Sequence, residues 1–173
     1  DTAPLAADCA ALLRGSEDAF RTGLQALSCL TDGRLHLCTN GALELPEVEN
    51  VERLRLHEFQ GPHPAGNAGV HIHHIAPIAS RSDAVWVCPL TAVILIGRLF
   101  EERRLVPEII VASTGTSAPR RSYVRTVLGD PMETVTGGRA EHDARYISGN
   151  PLTGKSVNPE GFLSFMETSV TVL

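Results

Sequence analysis

Between Gly61 and Ile75 the chain packs four of its seven histidines among three glycines and two prolines. No other stretch limits the backbone so tightly. Each proline fixes φ and removes a hydrogen-bond donor, and each glycine admits conformations closed to other residues. Gly61–Gly66 cannot run as a regular helix or an interior strand. It is either a reactive site or a tightly shaped corner, and the choice separates a catalyst from a scaffold.

The rest of the composition narrows the partners. At 173 residues, with 43% apolar and 20% charged residues, the chain suits one ordinary domain or a medium and a small one, with enough length for a real core. The net charge of -5 comes without a Lys/Arg stripe. Its basic clusters are Arg103–Arg104, neutralised by Glu101 and Glu102, and Arg120–Arg121 with Arg125, so nucleic acid is not expected as a partner. The longest uncharged run, Ala84–Gly97, contains Pro89 and falls short of the roughly 20 residues needed to cross a bilayer. The first residue is Asp1, with no signal peptide before it, which suggests a piece of a longer protein. Cys9, Cys29, Cys38 and Cys88 lack zinc-finger or CxxC spacing and sit in apolar surroundings, so buried free thiols are expected.

Hydrophobic periodicity predicts alternating strands and helices. A helix starts after Ser16, whose hydroxyl is placed to cap it, and Phe20, Leu24, Leu27 and Leu30 mark its apolar face. Asp32–Gly33 is its expected end. Strands are expected over Arg34–Thr39 and Leu54–Gln60, with a short surface helix over Glu44–Arg53 between them. Ala84–Cys88 reads as a strand apolar on both faces with Trp86 in the core, Thr91–Glu102 as a helix, and Glu108–Ser113 as a further apolar strand. This pattern predicts a sheet covered on both faces, an α/β unit. The Gly/Ser/Pro stretch Thr114–Pro119 is the expected boundary, giving residues 1–114 and 115–173. The second part, with strands over Ser122–Leu128, Ala144–Ser148 and Thr168–Leu173 and a helical turn over Pro131–Val135 broken at Gly137–Gly138, reads as a small α+β module.

Three chemistries are weighed against these residues. His71 and His73 share a face if extended, and His71 and His74 lie about one turn apart if helical. A zinc site needs a third ligand; His57, His63 or an acid is available, but no HExxH spacing occurs, so no metal site is expected here. Imidazoles bonding to backbone at a crowded turn, or facing a neighbouring subunit, fit better. Gly149–Ser156 matches GxxxxGKS, yet Asn158–Pro159 stops any helix after it, and a phosphate loop needs that helix. No GxSxG elbow accompanies Ser113, Ser148 or Cys88, and Asp83 and Asp143 read as ordinary surface residues.

Gly61–Gly66 followed by His71–His73 resembles the signature of the NqrA subunits of Na+-translocating NADH:quinone reductases. The resemblance runs in order along the chain: Asp1–Ala6, Phe20–Leu24 with Leu27 and Leu30–Thr31, Gly97–Phe100, Val124–Gly129, Ile147–Gly149 with Leu152–Gly154, and Ser169–Leu173. Asn67, His74 and Asn150–Pro151 depart from the family pattern. The resemblance implies a Rossmann-like α/β domain followed by a small α+β β-grasp module of the soluble-ligand-binding (SLBB) type. It implies a peripheral subunit on the cytoplasmic side of the bacterial inner membrane, reaching the membrane only through partner subunits. NADH, flavins and the iron–sulfur centre would belong to those partners, so no cofactor and no catalytic residue is expected in this chain. Pro62 and Pro64, with Gly61 and Gly66, would form a fixed structural corner, Gly66 admitting the next helix closely. His63, His71 and His73 would face a partner or a quinone. The alternatives are a flavin- or NADH-binding electron-transfer domain of the RnfC type and a histidine-cluster metal-dependent hydrolase.

Overall fold

A computed structural model describes residues 1–43, 45, 47–48, 50–141 and 143–173. The chain divides into two compact units, residues 1–2 with 13–106 and residues 3–12 with 107–173. The fold is mixed α/β. It opens on α1 (Cys9–Leu13), one short turn of helix.

In the first unit α2 (Glu17–Ser28) carries Glu17 and Asp18 in its first turn, where acids favour the helix dipole. The expected Ser16 cap is corrected: the Ser16 hydroxyl makes no cap bond and instead accepts a hydrogen bond from Arg98 Nη2 at 2.8 Å. The helix also ends earlier than Asp32–Gly33. It closes on Cys29 in a right-handed conformation, and Leu30, beyond that end, is exposed. Strands β1 (Leu35–Thr39) and β2 (Leu54–Glu58) pair in parallel, Leu35 opposite Leu54 and Cys38 opposite His57. Helix α3 (Ala68–Ile75) follows the corner, and α4 (Leu90–Glu102) packs on α2.

The core gathers Leu13, Ala19, Phe20, Leu24, Val48, Val51, Val93 and Ile94, with Leu35, Leu37 and Leu54 of the strands against it. Val48 and Val51 alter the expected surface helix over Glu44–Arg53. Positions 44, 46 and 49 lie outside the described residues, and the described ones form bends and turns whose two valines point inward.

Ala84–Cys88 departs most from expectation. It forms no strand among the described residues, every residue of it is exposed, and Trp86 is 89% exposed rather than in the core. An apolar run signals burial only where a neighbouring strand and a covering layer exist. The described sheet of this unit has two strands, and neither pairs with this segment. The cysteines are corrected in the same sense. All four are free, but Cys29 and Cys88 are exposed and Cys9 and Cys38 only half-buried.

The second unit is a five-stranded mixed sheet in the order β4-β3-β7-β5-β6. It comprises β3 (Glu108–Thr114), β4 (Ser122–Val127), β5 (Tyr146–Ser148), β6 (Lys155–Val157) and β7 (Ser169–Val172), with α5 (Met132–Thr136) against β3 and β7. Because β3 pairs with β4 and β7, the Thr114–Pro119 stretch lies inside this unit, as the link from β3 to β4. β3 and β7 run parallel, and the other pairs are antiparallel. All four residues of the central β7 are buried. Val111, Met132, Val135, Tyr146 and Val170 fill the interior, and Gly137 closes α5 in the left-handed conformation.

Candidate functional site

The corner after β2 is built by two successive turns. The Ala65 N–H donates to the Pro62 carbonyl at 2.9 Å and the Asn67 N–H to the Pro64 carbonyl at 2.8 Å. The prolines cost these turns nothing, because their own positions need acceptors and not donors. Gly61 enters with φ +149°, a conformation side chains rarely allow. The His63–Pro64 peptide is cis.

Thr2 closes the corner from outside the motif. Its Oγ1 accepts the Gly66 N–H at 2.9 Å and lies 3.3 Å from His63 Nδ1. A Cβ on residue 66 would stand 2.7 Å from the Thr2 nitrogen. Gly66 therefore makes room for the N-terminal segment, where the sequence suggested the next helix.

The predicted histidines take different positions. His63 is half-buried beside Thr2. His71, on α3, is half-buried, packs against Phe59 with ring centroids 4.3 Å apart and planes tilted by 36°, and meets the Ala65 carbonyl through Nε2 at 2.8 Å. A carbonyl only accepts, so Nε2 carries the proton. His73 is exposed, edge-on to exposed His74 at 5.3 Å. The fold thus turns two imidazoles into the corner and leaves His73 on the solvent side of α3.

A second pair escaped sequence reasoning. His36 on β1 and His57 on β2 meet with Nδ1 and Nε2 2.9 Å apart. Partial loss of hydration on the strand face first, then His57, Arg34 and Arg55, hold the exposed His36 below its ordinary value. Burial pushes the Cys38 thiol up. The signal was present once both strands were assigned, since parallel pairing in register brings the two side chains to neighbouring positions on one face.

The remaining motifs hold ordinary structure. The GxxxxGKS match spans the β5–β6 hairpin, with Lys155 and Ser156 in β6 and no helix after them. Asp83 organises a surface turn, accepting the Ala79 and Ser80 N–H groups at 2.9 Å each, and these bonds hold its carboxyl below the usual range. Among the described residues no group of three or more His, Cys, Asp or Glu is arranged to hold a metal ion, and no helix is long and apolar enough to cross a membrane.

Two family models match consecutive stretches of the chain. The NqrA second alpha/beta domain matches residues 1–105, and the NQRA C-terminal domain, of SLBB type, matches residues 110–158. The chain belongs to the NqrA family of the Na(+)-translocating NADH-quinone reductases. Among similar proteins, the NqrA of Neisseria meningitidis serogroup A is 41% identical over 89% of this chain and 34% of its own length. The NqrA proteins of Shewanella frigidimarina and Cellvibrio japonicus are 38% and 39% identical over 100% of this chain, and 38% and 39% of theirs. The chain therefore spans little more than a third of these NqrA relatives. The junction between the two family models, after residue 105, falls where the chain passes from the first compact unit to the second, after residue 106. The RnfC-type and metal-hydrolase alternatives find no support among these matches.

Proposed function

We propose that this chain forms part of a peripheral subunit of a respiratory Na+-translocating NADH:quinone reductase. It serves the complex by docking, on the cytoplasmic side of the bacterial inner membrane, against partner subunits that carry the flavins and the iron–sulfur centre. The observation that carries this reading is the match of two NqrA models to consecutive stretches of the chain, supported by relatives of that name across its whole length.

Within that reading, the Gly61–Gly66 corner acts as a rigid shelf. His63 and His71 hold it from behind, and His73 meets the partner or a quinone headgroup. A quinone carbonyl needs a hydrogen-bond donor, and an exposed imidazole can supply one without ordering a buried site first.

Exchange of the matching third of the Neisseria meningitidis NqrA for this chain tests the proposal. Assembly of the complex, with Na+-dependent NADH:quinone activity retained, is the expected result. A folded chimera that does not join the other subunits would overturn it. Calorimetry of the chain with a soluble quinone analogue tests the quinone role separately. Heat lost in His73→Ala is expected, and silence at millimolar ligand would remove that role.

A further inference from the structure

We propose that His36 and His57 form a two-imidazole site for a divalent transition-metal ion of the zinc class, with water completing its coordination. This site lies on the β1–β2 ribbon and is independent of the docking reading.

The strands fix the pair. Leu35, Leu37 and Leu54 pack into the core, and period-two alternation sends His36, Cys38, Arg55 and His57 to the opposite face. There His36 sits opposite Arg55 and His57 opposite Cys38, so the two imidazoles lie two register positions apart, neighbours on the same face of adjacent strands. Their nitrogens converge to 2.9 Å.

Such a contact exists only when one ring carries the shared proton and the other presents a lone pair. A metal ion can replace that proton. Two bonds of about 2.0–2.1 Å in tetrahedral geometry place the nitrogens about 3.3 Å apart, so a small rotation of each ring suffices. Neutral imidazole suits zinc, copper and nickel. Arg34 and Arg55, which act on His36 electrostatically, oppose the arriving cation.

His36 is exposed and His57 half-buried, so water reaches the open side of the pair. Because no third protein ligand of the described residues completes a larger group, the ion is exchangeable and is not a structural zinc.

The test is a Zn2+ titration of the 173-residue chain at slightly alkaline pH, read by calorimetry and by NMR of the histidine ring protons. One ion per chain is expected, with the His36 and His57 ring signals moving together. Affinity should fall about tenfold or more in His36→Gln and in His57→Gln, and stay unchanged in His73→Gln. Absence of binding, Zn2+ shifts confined to other histidines, or unchanged affinity in both paired variants would overturn the proposal. The NMR readout on the unaltered chain does not depend on how the variants fold.

Discussion

Gly97 of α4 lies directly against the backbone of Ala19 in α2. A Cβ at position 97 would stand 1.6 Å from the Ala19 carbonyl oxygen and 2.9 Å from the Gly23 nitrogen. Gly23 returns the relationship, since a Cβ there would lie 2.0 Å from the Val93 carbonyl oxygen. The two helices touch backbone to backbone, and Thr22 donates to Glu101 Oε1 at 2.8 Å across the same seam.

Gly97→Ala forces the helices apart, because the obstruction is main chain and cannot rotate away. The expected loss is about 3 kcal/mol, at the upper end of overpacking costs. A melting point lowered by roughly 6–12 °C would register it. Gly69→Ala in α3 is the counterpart: nothing lies within 4 Å of its Cβ, so a gain of about 0.5–1 kcal/mol is expected from helix propensity. Thermal denaturation of both variants checks the pair, and an unchanged melting point for Gly97→Ala would contradict the packing described.

Thr2→Val removes the oxygen that receives the Gly66 N–H and meets His63. The loss is expected to be about 1 kcal/mol, with faster hydrogen exchange at the Gly66 amide. Exchange at Gly66 as slow as in the unaltered chain would contradict the clasp.

Trp86 is the chain's single tryptophan, so its fluorescence reports one site. An 89% exposed indole should emit as free tryptophan does in water and be quenched efficiently by acrylamide. Trp86→Ala should change stability by no more than about 0.5 kcal/mol in the isolated chain. Blue-shifted, protected emission would show that Ala84–Cys88 is covered.

Glu167 is half-buried, and burial pushes its carboxyl up against the pull of Lys155. An acid raised in the folded state contributes stability that is complete below its unfolded pKa and lost as pH rises through its folded pKa. Glu167→Gln should therefore melt higher than the unaltered chain near neutral pH, with the difference closing as pH falls to the ordinary carboxylate range. Equal melting points at neutral pH would contradict it.

His36 gives the opposite slope. Its folded pKa is lowered, so its contribution is present above the ordinary histidine range and lost as pH falls through the folded value. His36→Gln should flatten the fall in melting temperature on the acid side of neutrality. A fall as steep as before would mean that the pair does not couple to folding.

Local order alone fixed most elements. The 3.6-residue recurrence of Phe20 and Leu24 marked α2, alternation marked β1, and Gly137 stopped α5, because each signal acts within a few residues. The corner at Gly61–Gly66 was legible for the same reason, proline and glycine restricting their own backbone. Whatever depended on distant partners was not legible. Ser16 looked like a cap until Arg98 claimed its hydroxyl, and Ala84–Cys88 looked buried although no strand of the described sheet reaches it. Thr2 became part of the corner, and His36 met His57, only when the chain folded back on itself. Apolar spacing states what a segment would bury, and tertiary packing decides what lies opposite, because a contact needs two surfaces and the sequence lists them one at a time.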